Sequence, residues 1–180
     1  MAQPRTILIM GVGNEMRNDD RVGLVLARLL RREAWPGVRI IETGGDATIW
    51  LRFWAEAETV VLLDATMTGA QAGALHHCDL GRAPVDAPRS ASTHGLGLGH
   101  IVELARALDR LPSQLYIVGI EGADFGYGTL LSPAVAAAIP GALRAVRELI
   151  EATLLSMQGP MIHHEPVGPF RMPAATGAAD

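Results

Sequence analysis

The sequence predicts an α/β fold with helices on both faces of a largely parallel sheet. Short β-rich segments alternate with segments of helical periodicity along most of the chain. The clearest strand segments are apolar on both faces, as expected of buried parallel strands. Polar residues then crowd just past the strand ends, where ligands bind in such sheets.

Thr6 to Met10 is the first strand, and Gly11 and Gly13 allow a tight exit from it. Asn18 or Asp19 is placed to cap the first helix, with Asp20 in its first turn. Val22, Val25, Leu26, Leu29 and Leu30 give that helix its apolar stripe, and Pro36-Gly37 stops it. Arg28, Arg31 and Arg32 lie late in the helix, where cations suit its dipole. Val38 to Glu42 is a second strand. Asp46 caps a second helix over Ala47 to Ala55, whose apolar side includes Ile49, Leu51, Phe53 and Trp54. Thr59 to Leu63 is a third strand, ending on Asp64-Ala65. Ala74 to Leu80 is a fourth, and the short turn before it favours antiparallel pairing with the third.

Gly81 to Ala91 holds two prolines and no periodicity, so it is a loop. Ser92-Thr93-His94-Gly95 opens a third helix with its stripe at Leu98, Ile101, Val102, Ala105 and Leu108. Gln114 to Ile120 is a fifth strand, and Gly122 to Leu131 a second long loop. Ser132-Pro133 starts the last helix, which Pro140-Gly141 is expected to kink or restart before it ends near Leu155. Beyond Gln158, Pro, Gly and Ala dominate without periodicity. This predicts one domain over residues 1–157 and a disordered tail over 158–180. The pair His163-His164 with Glu165 in that tail has no supporting structure and reads as incidental.

Nearly half of the 180 residues are apolar, enough for one real core. The net charge is −4 and the basic residues are scattered, which argues against nucleic acid and anionic membrane surfaces as partners. The lone Cys78 excludes a disulfide framework and a Cys-rich zinc site, and reads as a small core residue. No secretory leader pattern and no apolar run near the ~20 residues of a membrane span is present. The expectation is a soluble, cytoplasmic protein.

The strand ends supply Asn14 and Glu15, then Glu42, Thr43 and Asp46, then Asp64, then Ser92, Thr93 and His94, then Glu121 and Asp124. Gly11-x-Gly13 after a first strand suggests a dinucleotide cradle. Met16 at the third glycine position and the acidic Glu15, Asp19 and Asp20 argue against an anion there. Two carboxylates and an imidazole, Glu15, Asp64 and His94, would suit a borderline divalent ion such as zinc or nickel with one position open. No HExxH is present. Helix caps and solvated strand ends would account for the same residues without any metal.

Five blocks occur in order: GVGNEMRNDDRVG, ETGGDATIWL, VVLLDATMTGAQAG, STHGLGL and YIVGIEGADFGYGTLLSPAV. Together they resemble the hydrogenase maturation proteases, the endopeptidases that process the large subunit of nickel–iron hydrogenases. The resemblance covers about Thr6 to Leu155. It implies a three-layer α/β/α sandwich around a twisted five-stranded sheet. It also implies a metal-binding set of Glu15, Asp64 and His94, which would act in catalysis too. The reaction it implies is removal of a C-terminal extension from the large-subunit precursor after nickel insertion. The nickel would be carried by that substrate, with zinc or cadmium able to stand in for it in a crystal. The enzyme would act as a monomer. Proton transfer has candidates in Asp46, Glu42, His100 and Asp124. Two departures stand out. Arg21 replaces a small residue and could face solvent or pair with Asp20 or Glu42. The second-strand turn reads Thr43-Gly44-Gly45-Asp46 in place of Asp-Gly-Gly-Thr. The altered turn motivates a second reading, a non-catalytic chaperone that binds the nickel-loaded precursor. The two long loops flank the expected cleft and are where a partner would be read.

Overall fold

The computed structural model describes residues 6–44, 46–80 and 98–158. Five strands form one sheet: β1 (Ile7–Val12), β2 (Val38–Thr43), β3 (Thr59–Thr66), β4 (Leu75–Asp79) and β5 (Gln114–Glu121). Their spatial order is β2-β1-β3-β5-β4. All neighbours are parallel except β4, which runs antiparallel to β5. The fourth strand is antiparallel as expected but has a different neighbour. Both edges of β3 are taken, by β1 and β5, so β4 passes to the outer edge of β5.

Side chains alternate across the strands and feed two cores. Ile7, Ile9, Val61 and Leu63 pack with α1 (Val22–Arg31) and α4 (Pro133–Gln158). Leu8, Met10, Val60 and Leu62 pack with α2 (Ala47–Trp54) and α3 (Leu98–Ala107). The result is the three-layer α/β/α sandwich.

Local chemistry explains most boundaries. Asp46 caps α2, accepting from the Thr48 amide at 2.9 Å. Trp50 and Trp54, not Ile49, fill the α2 face of the core, while Ile49 is exposed. Leu108 is likewise exposed, just past the end of α3. Pro140 neither breaks nor restarts α4, which is one helix of 26 residues. The proline removes one backbone donor, while Ala142, Leu143, Val146 and Ile150 hold the helix on the sheet. Cys78 is half-buried at the core edge and its thiol pKa is raised by burial, which suits packing rather than nucleophilic attack. The expected helix start at Ser92 to Gly95, the Gly81–Ala91 loop and nearly all of the expected tail lie outside the described residues.

Candidate active site

The strand order reverses direction at β1. Its chain neighbour β2 lies on one side, and β3 lies on the other. The crevice beyond the carboxyl ends of β1 and β3 is therefore the topological switch point, where open α/β sheets bind ligands.

The chain leaves β1 at Val12, makes a turn, and returns as a single 3-10 turn, Asn18–Arg21, before α1. Its return is close. Gly13 has φ 149°, and a Cβ there would stand 1.9 Å from the Asp20 carbonyl oxygen. One turn further, a Cβ on Gly23 would stand 2.1 Å from the Leu63 oxygen and 2.2 Å from the Val12 oxygen. Only glycine lets the start of α1 sit directly on the ends of β1 and β3. Asp20 is thereby brought back under the strand ends, and its side chain is fully buried.

Asp64, near the end of β3, is only 6% exposed. Burial raises its carboxyl pKa well above the usual range, and the charge of Asp20 raises it further. The Ala65 amide, donating at 2.8 Å, opposes this rise. The charge acting on Asp64 is thus another carboxylate. A divalent cation between them would relieve both their repulsion and their desolvation, so this donor pair fits a metal.

Neither Asn18 nor Asp19 caps α1, because neither the 3-10 turn nor the helix has a side-chain cap bond, and Asp20 lies in the first turn of the 3-10 segment. Asp19 points the other way, to the loop after β5. Its carboxylate accepts from the amides of Ala123 at 2.8 Å, Asp124 at 2.9 Å and Ser132 at 2.7 Å. Burial alone would raise its pKa, but these three bonds outweigh that and lower it.

Glu15 has a different setting. It pairs with Arg21 at 2.9 Å and with Arg28, and its side chain is 40% exposed. Arg28 and Arg31 also hold Glu42, at 2.6 and 2.8 Å. Glu15, Arg28 and Glu42 line an open groove of about 480 Å³ with Gly13, Asn14 and Thr43. Arg21 therefore pairs with Glu15 and the Thr129 carbonyl, not with Asp20 or Glu42.

The other candidates are accounted for by structure. Asp46 is a cap, and Asp124 holds its own loop through Gly126 and Asn18. His100 is exposed. Glu121 is buried and accepts from the Thr66 hydroxyl at 2.9 Å, the Gly69 amide at 2.8 Å and the Thr68 amide at 2.7 Å. Burial opposes its ionisation, yet these bonds leave its pKa lowered, and they fasten the turn after β3. Among the described residues, no three His, Cys, Asp or Glu side chains gather as a metal site. His94 lies outside those residues, four positions before α3 begins.

The sequence alone does not set Asp20 against Asp64. It points to Glu15, the acidic residue nearest the strand end. The signal it lacked was the return of the turn, which Gly13 and Gly23 jointly permit.

A family model described as HycI, hydrogenase maturation protease, matches residues 24–149. The hydrogenase expression/formation protein HupD of Rhodobacter capsulatus is 28% identical over 172 residues, covering 93% of this chain and 82% of that protein. HupD of Bradyrhizobium diazoefficiens is 27% identical over 138 residues, covering 74% and 72%. Among solved structures, the NiFe hydrogenase maturation protease HybD from Thermococcus kodakarensis is 26% identical with a TM-score of 0.65, covering 81% of this chain and 99% of that one. The hydrogenase maturating endopeptidase HybD from E. coli, 23% identical, shares the fold with a TM-score of 0.71, covering 82% and 93%.

Proposed function

Since the chain belongs to the hydrogenase maturation protease family of endopeptidases, we propose that it removes the C-terminal extension of a nickel–iron hydrogenase large-subunit precursor. In this reading the cut follows nickel insertion, and the nickel arrives as part of the substrate. The observation that carries it is the buried pair Asp20 and Asp64 at the switch point. His94, the imidazole that the family resemblance implies, would complete the set. Glu15, already held by two arginines, becomes a rim residue.

Asp64 has a raised pKa, so a bound cation would favour its ionised form. Asp20 and Asp64 would hold the ion. The bound ion supplies Lewis-acid chemistry to the scissile carbonyl or the attacking water. Water adds its hydroxyl to the carbonyl carbon and a proton to the leaving amine, giving a new C-terminal carboxylate and a released peptide. A site of this kind requires no Ser, Cys or HExxH machinery. Among the described residues no helix is long and apolar enough to cross a membrane. The same reading sets the reaction in the cytoplasm and lets the enzyme act as a monomer.

The test incubates the protein with nickel-loaded and nickel-free precursor. Mass spectrometry should show loss of C-terminal mass from the nickel-loaded form alone. Equal cleavage of both forms, or cleavage that survives His94→Ala, would sink the reading. Binding of the nickel-loaded form without any loss of mass would favour the chaperone instead.

A further inference from the structure

Large apolar side chains stand in the open beside the candidate active site. Tyr127 is 96% exposed, Leu130 79% and Met16 59%. They come from two segments that the fold fastens together. The Gly128 amide donates to the Met16 carbonyl at 3.0 Å, and the Asn18 amide to the Gly128 carbonyl at 3.1 Å. The Leu130 amide bonds the Asn18 side chain at 3.3 Å. Arg17 forks onto the Phe125 carbonyl at 3.1 and 3.0 Å. Asp19 clamps both ends of the loop. Tyr127 and Leu130 thus project from a backbone tied at nearly every second residue.

Their exposure is not the by-product of a slack loop. A chain that spends this many backbone bonds on holding a loop still, packs Phe125 and Leu131 against the core, and then leaves Tyr127 and Leu130 in water, displays the latter two. Such preorganised aromatic and aliphatic anchors lower the entropy cost of association. A fourth exposed side chain, Met67, follows the end of β3, three residues after Asp64.

We propose that Met16, Tyr127 and Leu130 form the docking surface for the folded body of the large-subunit precursor. The occupant follows from continuity. Asp20, in the same turn as Met16, belongs to the site that the scissile segment must reach. A protein delivering its C-terminal segment there must lie across this rim. The matching surface on the precursor is apolar, with room for an aromatic ring. This inference rests on the maturation reading for its partner.

The test measures binding of nickel-loaded precursor to the full-length protein by surface plasmon resonance, alongside the cleavage assay. The variants are Tyr127→Ser with Leu130→Ser, and separately Met16→Gln. The control is Leu155→Ser, also exposed but late in α4, roughly 30 Å along the helix from Pro133. The expected result is a Kd at least about tenfold weaker for the double variant, with an unchanged melting temperature and wild-type binding by the control. Unchanged Kd in the double variant would overturn the surface. So would absence of binding by the wild type, or a concentration-dependent dimer in ultracentrifugation that the same substitutions abolish. Wild-type binding without cleavage, weakened by the substitutions, would uphold the surface while defeating the protease reading.

Discussion

Glu15 and Asp20 stand five residues apart on one turn, in opposite electrostatic settings. Glu15 is 40% exposed and held by two guanidinium groups. Asp20 is fully buried, and its charge bears on a second buried carboxylate, Asp64. The first region is a neutralised rim whose ion pairs are largely screened by water. The second brings two buried carboxylates together where water screens them little. Neighbouring acids on one turn thus differ in burial and in the charge that faces them.

The largest expected effect comes from the packing that creates the second setting. Gly23→Ala places a methyl within 2.2 Å of two carbonyl oxygens. It should cost at least ~3 kcal/mol, read by urea denaturation. A loss under ~1 kcal/mol would mean that α1 can lift off the strand ends, and the burial of Asp20 would lose its cause. Next is Asp19→Ala, which strips three amides of their acceptor. A loss of about 2–4 kcal/mol is expected, with faster hydrogen exchange at Ala123, Asp124 and Ser132. Slow exchange at those amides would break the link between the turn and the loop.

The pH dependence separates the acids further. Asp19 and Glu121 have lowered pKa values, so they add stability above their unfolded values of about 3.9 and 4.3. That stability is lost as pH falls through their folded values. Asp64 has the opposite sign. Its raised pKa adds stability below about 3.9, lost as pH rises through the folded value. Asp64→Asn should therefore match the metal-free wild type near pH 4 and exceed it at pH 8. A gain of ~1 kcal/mol there is a melting-temperature rise of about 2–4 °C. A drop at pH 8 would contradict the placement of Asp64. The smallest effect belongs to the rim. Glu15→Gln should cost less than ~1 kcal/mol, and added salt should shrink that difference.

Much of the fold was legible because its signals are local. Runs apolar on both faces marked β1 and β3, and Asp46 marked the start of α2. The pairing of β4 with β5 was not legible. It depends on which edge of β3 is free, a property of the whole sheet. Asp64 was visible because it sits at the end of an unmistakable strand. The setting of Asp20 was not, because an acid in the first turn of a helix is accounted for by the helix dipole. The roles of Asp19 and Asp20 divide only when the turn closes, with Asp19 outward to a loop more than a hundred residues on and Asp20 inward to Asp64. Arg21 and Arg28 carry no sequence mark as partners of Glu15, since they meet it only through the turn and the second turn of α1.

Cleavage of nickel-loaded precursor by Asp20→Asn and Glu15→Gln, assayed side by side, is the most direct test of the account. The account predicts a loss of at least about a hundredfold in kcat/KM for Asp20→Asn and a change within about threefold for Glu15→Gln. Full activity of Asp20→Asn together with an inactive Glu15→Gln would contradict it and return the ligand to the rim.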